Sequence, residues 1–252
     1  MRATFDDAAE LYDQARPGYP EALYEDLFAL AGLSRGDRVL EIGPGTGKAT
    51  VPLAERGLDV TAVELGEALA AVARRNLAPY PNARVVMGDL DSWEPARAGF
   101  DAVVAFTAFH WLDPETKYER CARLLRDGGS LAVVETHHVN PEGGDPFFDD
   151  VQDAYERVGE RRADPLRPED ALDLRAEFVA SGRFEEPAVR RYLYEVEYDA
   201  DAYIDVLNTY SGHIAMEPAL REQLYEDIRR LIGQRTIRKA YLAILHVARR
   251  LT

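Results

Sequence analysis

The amino-acid sequence predicts a doubly wound α/β fold, a mostly parallel sheet with helices on both faces. Three observations predict it. The run Arg38-Val-Leu-Glu-Ile42 stops at glycines spaced two apart, Gly43-Pro-Gly-Thr-Gly47, as a strand does on entering a ligand-binding turn, because glycine tolerates positive φ and leaves room for backbone N–H groups to approach a ligand. Short Val-rich runs then recur with helical segments between them, the pattern of buried parallel strands and their crossovers. The 252-residue length suits one such domain with a substantial core, whereas two would be cramped.

Strands are expected over 38–43, 59–65, 84–89, 100–107 and 130–136, joined by helices over 48–56, 67–77 and 114–125, the last ended by Asp127-Gly-Gly129. Ligands of such sheets sit at the carboxyl ends of the strands. Beyond Thr136 the rhythm changes, with helices expected over 147–158, 169–180, 201–214 and 218–232 and strands over 189–198 and 239–247. Residues 1–35 read as an N-terminal lid, 36–137 as the ligand-binding core and 138–252 as a roof and final strands, all in a single domain.

Composition narrows the partners. A net charge of −15 argues against general nucleic-acid binding, which relies on clustered Lys and Arg. The only lysines are Lys48, Lys117 and Lys239, a scarcity that reads as compositional bias and not as a binding signal. One cysteine, Cys121, rules out a disulfide framework, and its helical setting suits a buried small residue. Met1-Arg-Ala-Thr-Phe-Asp-Asp7 lacks the apolar core of a signal peptide, and no apolar run reaches membrane-spanning length. A soluble cytoplasmic protein without a membrane or nucleic-acid partner is expected; oligomeric state stays open.

Two familiar glycine loops do not fit. The dinucleotide fingerprint needs Gly-x-Gly-x-x-Gly, whereas the spacing here is Gly-x-Gly-x-Gly led by Glu41. The phosphate loop fails at Ile42, where its first glycine belongs, and at Ala49, where a magnesium-binding Ser or Thr belongs. Glu41-Ile-Gly-Pro-Gly-Thr-Gly47 resembles motif I of the class I S-adenosylmethionine-dependent methyltransferases; a tight turn without ligand is the alternative for the glycines taken alone. Later strand ends carry matching chemistry. Glu64 closes Val60-Thr-Ala-Val-Glu64, where a carboxylate accepts from both ribose hydroxyls, a feature that suits NAD equally. Asp89 in Val85-Val-Met-Gly-Asp-Leu90 stands where the family places an acid on the adenine amino group, with a turn cap as the alternative.

The resemblance covers nearly the whole chain. Leu11-Tyr-Asp-Gln-Ala-Arg-Pro-Gly-Tyr-Pro20 is similar to a leader that folds over the cofactor, and Phe100-Asp-Ala-Val-Val-Ala-Phe-Thr-Ala-Phe-His-Trp-Leu-Asp113 resembles the fourth strand and active-site loop of small-molecule methyltransferases such as the trans-aconitate group. It implies a seven-stranded sheet with the last strand antiparallel. It also implies S-adenosylmethionine as cofactor, with Tyr12, Arg16, Tyr19, Glu41, Gly43, Gly45, Thr46, Gly47, Glu64, Leu65, Asp89, Leu90, Phe106 and Thr107 as its binding set. Tyr12, Tyr19, Phe106 and Trp111 are the aromatic faces available to a sulfonium, and packing is the alternative for Phe106 and Trp111. Arg16 suits a carboxylate of cofactor or substrate, or a surface ion pair.

The acceptor loop selects among chemistries. No Asp-Pro-Pro-Tyr or Asn-Pro-Pro-Tyr follows the fourth strand, which disfavours amide and nucleobase amine methylation. Cys121 is badly placed for a covalent route to pyrimidine C5, and no acidic cluster for magnesium-dependent catechol methylation is visible. The pair His110-Trp111 is similar to that in enzymes making methyl esters of carboxylic acids. A carboxylate with a pKa of about 4 needs no strong base, so His110 would orient it; for a phenol or alcohol, His110 would be the base, and a capping or core histidine is the alternative. His137, His138, Tyr203, Tyr210 and His213 are expected to line the acceptor site, with helix packing as the alternative for the last three, and their spacing supports no metal. The expected function is O-methylation of a small molecule, a carboxylate first. Rivals are C-, N- or hydroxyl O-methylation, an NAD oxidoreductase that would leave Asp89 unexplained, and a non-catalytic S-adenosylmethionine-binding regulator.

Overall fold

In the computed structural model, the described residues are 9–97, 99–161 and 165–251; the stretch 1–7 read above for a signal peptide lies outside them. Seven strands form one sheet in the order β3-β2-β1-β4-β5-β7-β6, where β1 is Arg38–Ile42, β2 Asp59–Glu64, β3 Ala83–Met87, β4 Phe100–Phe106, β5 Leu125–Val139, β6 Ala188–Tyr198 and β7 Ile237–Arg249. The first five are parallel, with β1 between β2 and β4; the last strands run antiparallel. Strand order therefore reverses between β1 and β4, which opens a crevice at their carboxyl ends. The expected doubly wound seven-stranded sheet is the one observed.

Helices α1 Ala9–Ala15 and α2 Glu21–Ala31 precede the sheet, and α3 Thr50–Glu55, α4 Glu67–Asn76 and α5 Lys117–Leu124 connect its parallel strands. Later come α6 Phe147–Asp150, α7 Gln152–Arg157, α8 Arg175–Ser181, α9 Ala200–Leu207, α10 Ser211–Ala215 and α11 Pro218–Ile232. Among the described residues no helix is long and apolar enough to cross a membrane.

Boundaries differ from expectation where side chains intervene. The helix expected over 201–214 is two. Asp199 caps α9 by accepting from the Ala202 N–H at 2.8 Å, and Thr209 ends it by turning its hydroxyl back to the Val206 carbonyl at 2.6 Å. The helix expected from 169 starts at Arg175, after a 3-10 turn at Pro168–Asp170. Asp127-Gly-Gly129 lies inside β5, where the register on β4 jumps from Phe100↔Leu125 to Ala102↔Ser130, a bulge that the positive φ of Gly128 permits.

The chain forms two compact units. One comprises residues 18–136, 172–192 and 243–252, the other the segments ending at Pro17 and spanning 137–171 and 193–242. The first, here the sheet unit, has a core that includes Leu40, Ile42, Val63, Val103, Leu131 and Val133 with Phe178 and Phe184. The second, here the roof unit, has its own core of Phe147, Val151, Tyr203, Ile204, Leu224, Ile228 and Tyr241.

Candidate functional site

The glycine turn is built by the sheet beneath it. Ile42 pairs with both Val63 of β2 and Ala105 of β4, and the ladder ends one residue later, where the Gly43 N–H donates to the Val63 carbonyl at 3.0 Å. Gly43, Gly45 and Gly47 have φ of 59, 58 and 89°, conformations that side chains resist. A Cβ at Gly43 would stand 2.8 Å from Ala108 Cβ, so this turn is packed against the loop that leaves β4. The first turn after β1 and the His110 loop thus meet at the switch point.

Buried polar atoms at this place lack partners. Glu41, between β2 and β4 in the middle of the sheet, is 1% exposed, and its Oε2 has no hydrogen bond among the described residues. Burial pushes its carboxyl up to about 7, with Thr50 opposing and Glu64 adding. The Thr46 hydroxyl is likewise buried without a partner. A buried donor or acceptor left unmade costs about 1–3 kcal/mol, and a cationic ligand reaching Glu41 would relieve that cost. This fits a cofactor that carries an ammonium.

Glu64 is engaged with the backbone. Its Oε1 accepts from the N–H groups of Leu65 and Gly66 at 2.9 and 2.8 Å, and Oε2 from Gly45 N–H at 2.9 Å. These bonds fix the carboxylate at the end of β2 and tie it to the glycine turn, while Leu65 beside it is 46% exposed. Asp89 caps its turn, Oδ1 accepting from the Asp91 N–H at 3.1 Å, and Leu90 is buried. A residue not foreseen holds that loop: buried Arg120 of α5 donates to the carbonyls of Leu90, at 3.0 Å, and Trp93, and to Glu94 at 2.6 Å. An arginine on an apolar helix face was the available signal.

Backbone strain marks the end of β4. Thr107 has φ of 55°, the one positive value outside glycine among the described residues, and a β-branched residue there is costly. Its hydroxyl bonds the Thr136 hydroxyl at 3.2 Å and the Tyr19 hydroxyl at 3.1 Å. Tyr19 also meets the buried Phe106 edge-on at 5.0 Å. The 3-10 turn Phe109–Trp111 follows, with His110 exposed and its ring 4.8 Å from that of Trp111. Loss of surrounding water, with Lys117 adding, holds the His110 pKa below its ordinary value. Cys121 is fully buried and its thiol is pushed up to about 12.

Glu135, near the end of β5, is a second unforeseen acid. Its Oε2 is buried without a partner among the described residues, and burial, with Glu177 and Asp173 adding and Lys117 opposing, raises its carboxyl to about 7. The folded protein therefore retains a proton between the ordinary carboxylate range and about 7 that the unfolded chain has released, and stability falls as pH rises through that window. Glu135→Gln is expected to raise the melting temperature at pH 8 and hardly change it at pH 5. Equal shifts at both pH values in calorimetry would discard this reading.

The remaining expected residues stand in the roof unit. Arg16 donates to the Thr209 hydroxyl and carbonyl at 2.7 and 3.1 Å and lies over the rings of Tyr210 and Tyr12 at 4.2 and 5.2 Å. Tyr210 and His138 are bonded through the Tyr hydroxyl and Nε2 at 3.1 Å, as are Tyr155 and His213 at 2.9 Å. Burial lowers His138 to about 3 and His213 to about 4, so both rings are neutral at physiological pH. Tyr203 is 3% exposed and packs edge-on against Phe147, and His137 is partly buried at the start of this unit's segment of β5. The expected site residues thus divide: Tyr12, Arg16, His137, His138, Tyr203, Tyr210 and His213 are in the roof unit and the others in the sheet unit.

Residues 39–129 match the family model described as a methyltransferase domain. An uncharacterized methyltransferase of Mycobacterium tuberculosis is 30% identical over 237 residues, covering 92% of this chain and 87% of the relative. A trans-aconitate 2-methyltransferase of Delftia acidovorans is 33% identical over 113 residues, covering 43% of this chain and 41% of that one. Among solved structures, a putative type II methyltransferase from Anaeromyxobacter dehalogenans superposes with a TM-score of 0.65 at 24% identity over 93% of this chain and 97% of that one, a likeness of fold. With a relative matched over nearly its whole length, this chain belongs to the class I S-adenosylmethionine-dependent methyltransferases.

Proposed function

We propose that the protein binds S-adenosylmethionine at the carboxyl ends of β1 to β4 and methylates an oxygen of a small molecule, a carboxylate foremost. The observation that carries the cofactor reading is the unpartnered Glu41 Oε2 beneath a turn of three positive-φ glycines. Glu41 would take the methionine ammonium, the Glu64 carboxylate the ribose hydroxyls, Asp89 the adenine amino group, and Leu65 would cover the base. Bound S-adenosylmethionine supplies an electrophilic methyl group on a sulfonium. The chain's share of the work is then alignment and exclusion of water: Tyr19, Phe106 and strained Thr107 form a rigid wall, and His110 orients the acceptor oxygen.

A neutral His110 offers one N–H donor and one lone pair. The donor suits a carboxylate, already ionised at neutral pH. One relative is named for trans-aconitate, a carboxylic acid, which supports this reading. A second reading is methylation at carbon, nitrogen or a hydroxyl with the lone pair of His110 as base; its support is a demethylmenaquinone methyltransferase of Renibacterium salmoninarum, 30% identical over 55% of this chain.

Base hydrolysis separates them. Protein incubated with methyl-labelled S-adenosylmethionine and a panel of carboxylic acids, phenols and amines is expected to yield label that mild base releases as methanol, the signature of an ester. Base-stable label would establish the second reading. His110→Ala is expected to lower turnover by about a hundredfold, the scale of a misplaced reactant, while calorimetric affinity for the cofactor stays unchanged. Undiminished turnover would remove His110 from the reaction.

A further inference from the structure

Past β3 the chain leaves the sheet within the sheet unit. The Gly88 N–H still donates to the Glu64 carbonyl at 2.9 Å, and residues 89–93 then close a tight turn in which the N–H groups of Ser92 and Trp93 donate to the Asp89 carbonyl at 3.0 and 2.7 Å. Trp93 lies against Gly88, where a Cβ would stand 2.9 Å from its indole Cδ1. Glycine is what lets that ring close on the turn.

Arg120 of α5, 7% exposed, holds the turn near both ends. Nε donates to the Leu90 carbonyl at 3.0 Å, Nη2 to the Trp93 carbonyl, and Nη1 to the exposed carboxylate of Glu94 at 2.6 Å. The Leu90 contact has a further reach. The peptide unit whose carbonyl Arg120 holds is the one whose N–H, that of Asp91, donates to Asp89 Oδ1 at 3.1 Å. A peptide unit is planar, so its carbonyl cannot turn without its N–H turning too. The guanidinium therefore acts on the Asp89 carboxylate through one rigid plane, and each bond in such a chain polarises the next. A guanidinium suits this task because its N–H groups form a fixed fork, whereas a lysine is a single point donor.

Resting on the adenine role given above to Asp89, we propose that Arg120 is a positioning residue for the cofactor's base. By holding the peptide that joins Leu90 to Asp91 it aims the Asp89 carboxylate, and so sets the preference for a purine that carries an exocyclic amino group. Arg120 touches no ligand in this arrangement. A residue that only stabilised the fold would alter affinity for every nucleoside alike, whereas one that aims Asp89 alters the discrimination between a base with the amino group and one without it.

The test compares adenosine with purine riboside, the same nucleoside lacking the amino group, by calorimetry. The wild type is expected to prefer adenosine by roughly tenfold or more, the scale of a hydrogen bond to a charged group, and Asp89→Ala to abolish the preference. Arg120→Met, which keeps much of the side chain's length and donates nothing, is expected to bring the ratio near one while purine riboside binding changes far less than adenosine binding. Arg120→Lys, a point donor in place of the fork, is expected to fall between. An unchanged ratio in Arg120→Met overturns the proposal, as does an unchanged ratio in Arg120→Lys if the methionine variant does not fold, or an equal loss of affinity for both nucleosides. A wild type that binds the two nucleosides equally would sink the adenine role of Asp89, and the proposal with it, before any Arg120 variant is made.

Discussion

Gly43→Val is expected to abolish measurable S-adenosylmethionine binding and to lower the melting temperature. Two penalties add. A left-handed conformation at φ 59° costs a residue with a Cβ about 1–2 kcal/mol, more for a β-branched one, and the new Cβ would stand 2.8 Å from Ala108 Cβ, closer than real Cβ contacts come. Relief requires the glycine turn or the loop after β4 to move, and these are the two segments that the proposed site joins. At about 2–4 °C per kcal/mol for a chain of this size, a combined cost of about 3 kcal/mol predicts a fall of about 6–12 °C. Gly18→Ala is the control, since a Cβ there meets nothing within 4 Å and the residue has no positive φ; it should bind cofactor as the wild type does. Calorimetry on both variants decides. Unchanged cofactor affinity in Gly43→Val would remove the glycine turn from the site.

The sheet was legible because its signals are local: Val-rich runs give the first five strands, alternation and apolar runs give the last two, and an acid at the end of each of β1, β2 and the loop after β3 announces the crevice. What escaped depends on tertiary contacts. The break between α9 and α10 follows from Thr209, whose hydroxyl is claimed by the Val206 carbonyl and by Arg16, far away in sequence. Glu64 reads as a ribose ligand, but that the same carboxylate also clamps the Gly45 N–H needs the turn's coordinates. Arg120 stands on the apolar face of its helix, a faint signal, whereas Glu135 differs from the other charged residues of its strand only in its burial. Lys239 is the plainest case. A charge leading an apolar run, Lys239-Ala-Tyr-Leu-Ala-Ile-Leu245, is a signal of burial, but only the fold shows that its ammonium lies among the rings of Phe148, Tyr203 and Tyr241.

Cofactor affinity is expected to rise about tenfold per pH unit until about 7 and then to level off, which is the behaviour of a site that must lose one proton to bind. The sign follows from Glu41. Burial raises its carboxyl from the ordinary range to about 7, so below that pH the ligand-free protein carries the neutral acid, whereas an ammonium is held by the carboxylate. Binding therefore expels a proton below about 7 and none above it, and calorimetry in buffers of different ionisation heat counts it directly. The same shift destabilises the ligand-free fold as pH rises from the carboxylate range to about 7, because the unfolded chain ionises first; Glu41→Gln should flatten both dependences, weaken the cofactor at pH 8 and leave the ligand-free protein more stable there. Two ligands separate charge from shape. S-adenosylhomocysteine keeps the ammonium and should retain the slope, while adenosine lacks it and should bind with no slope. A wild-type affinity independent of pH would mean that Glu41 does not meet the ammonium, and a slope that survives in Glu41→Gln would assign the proton to another group.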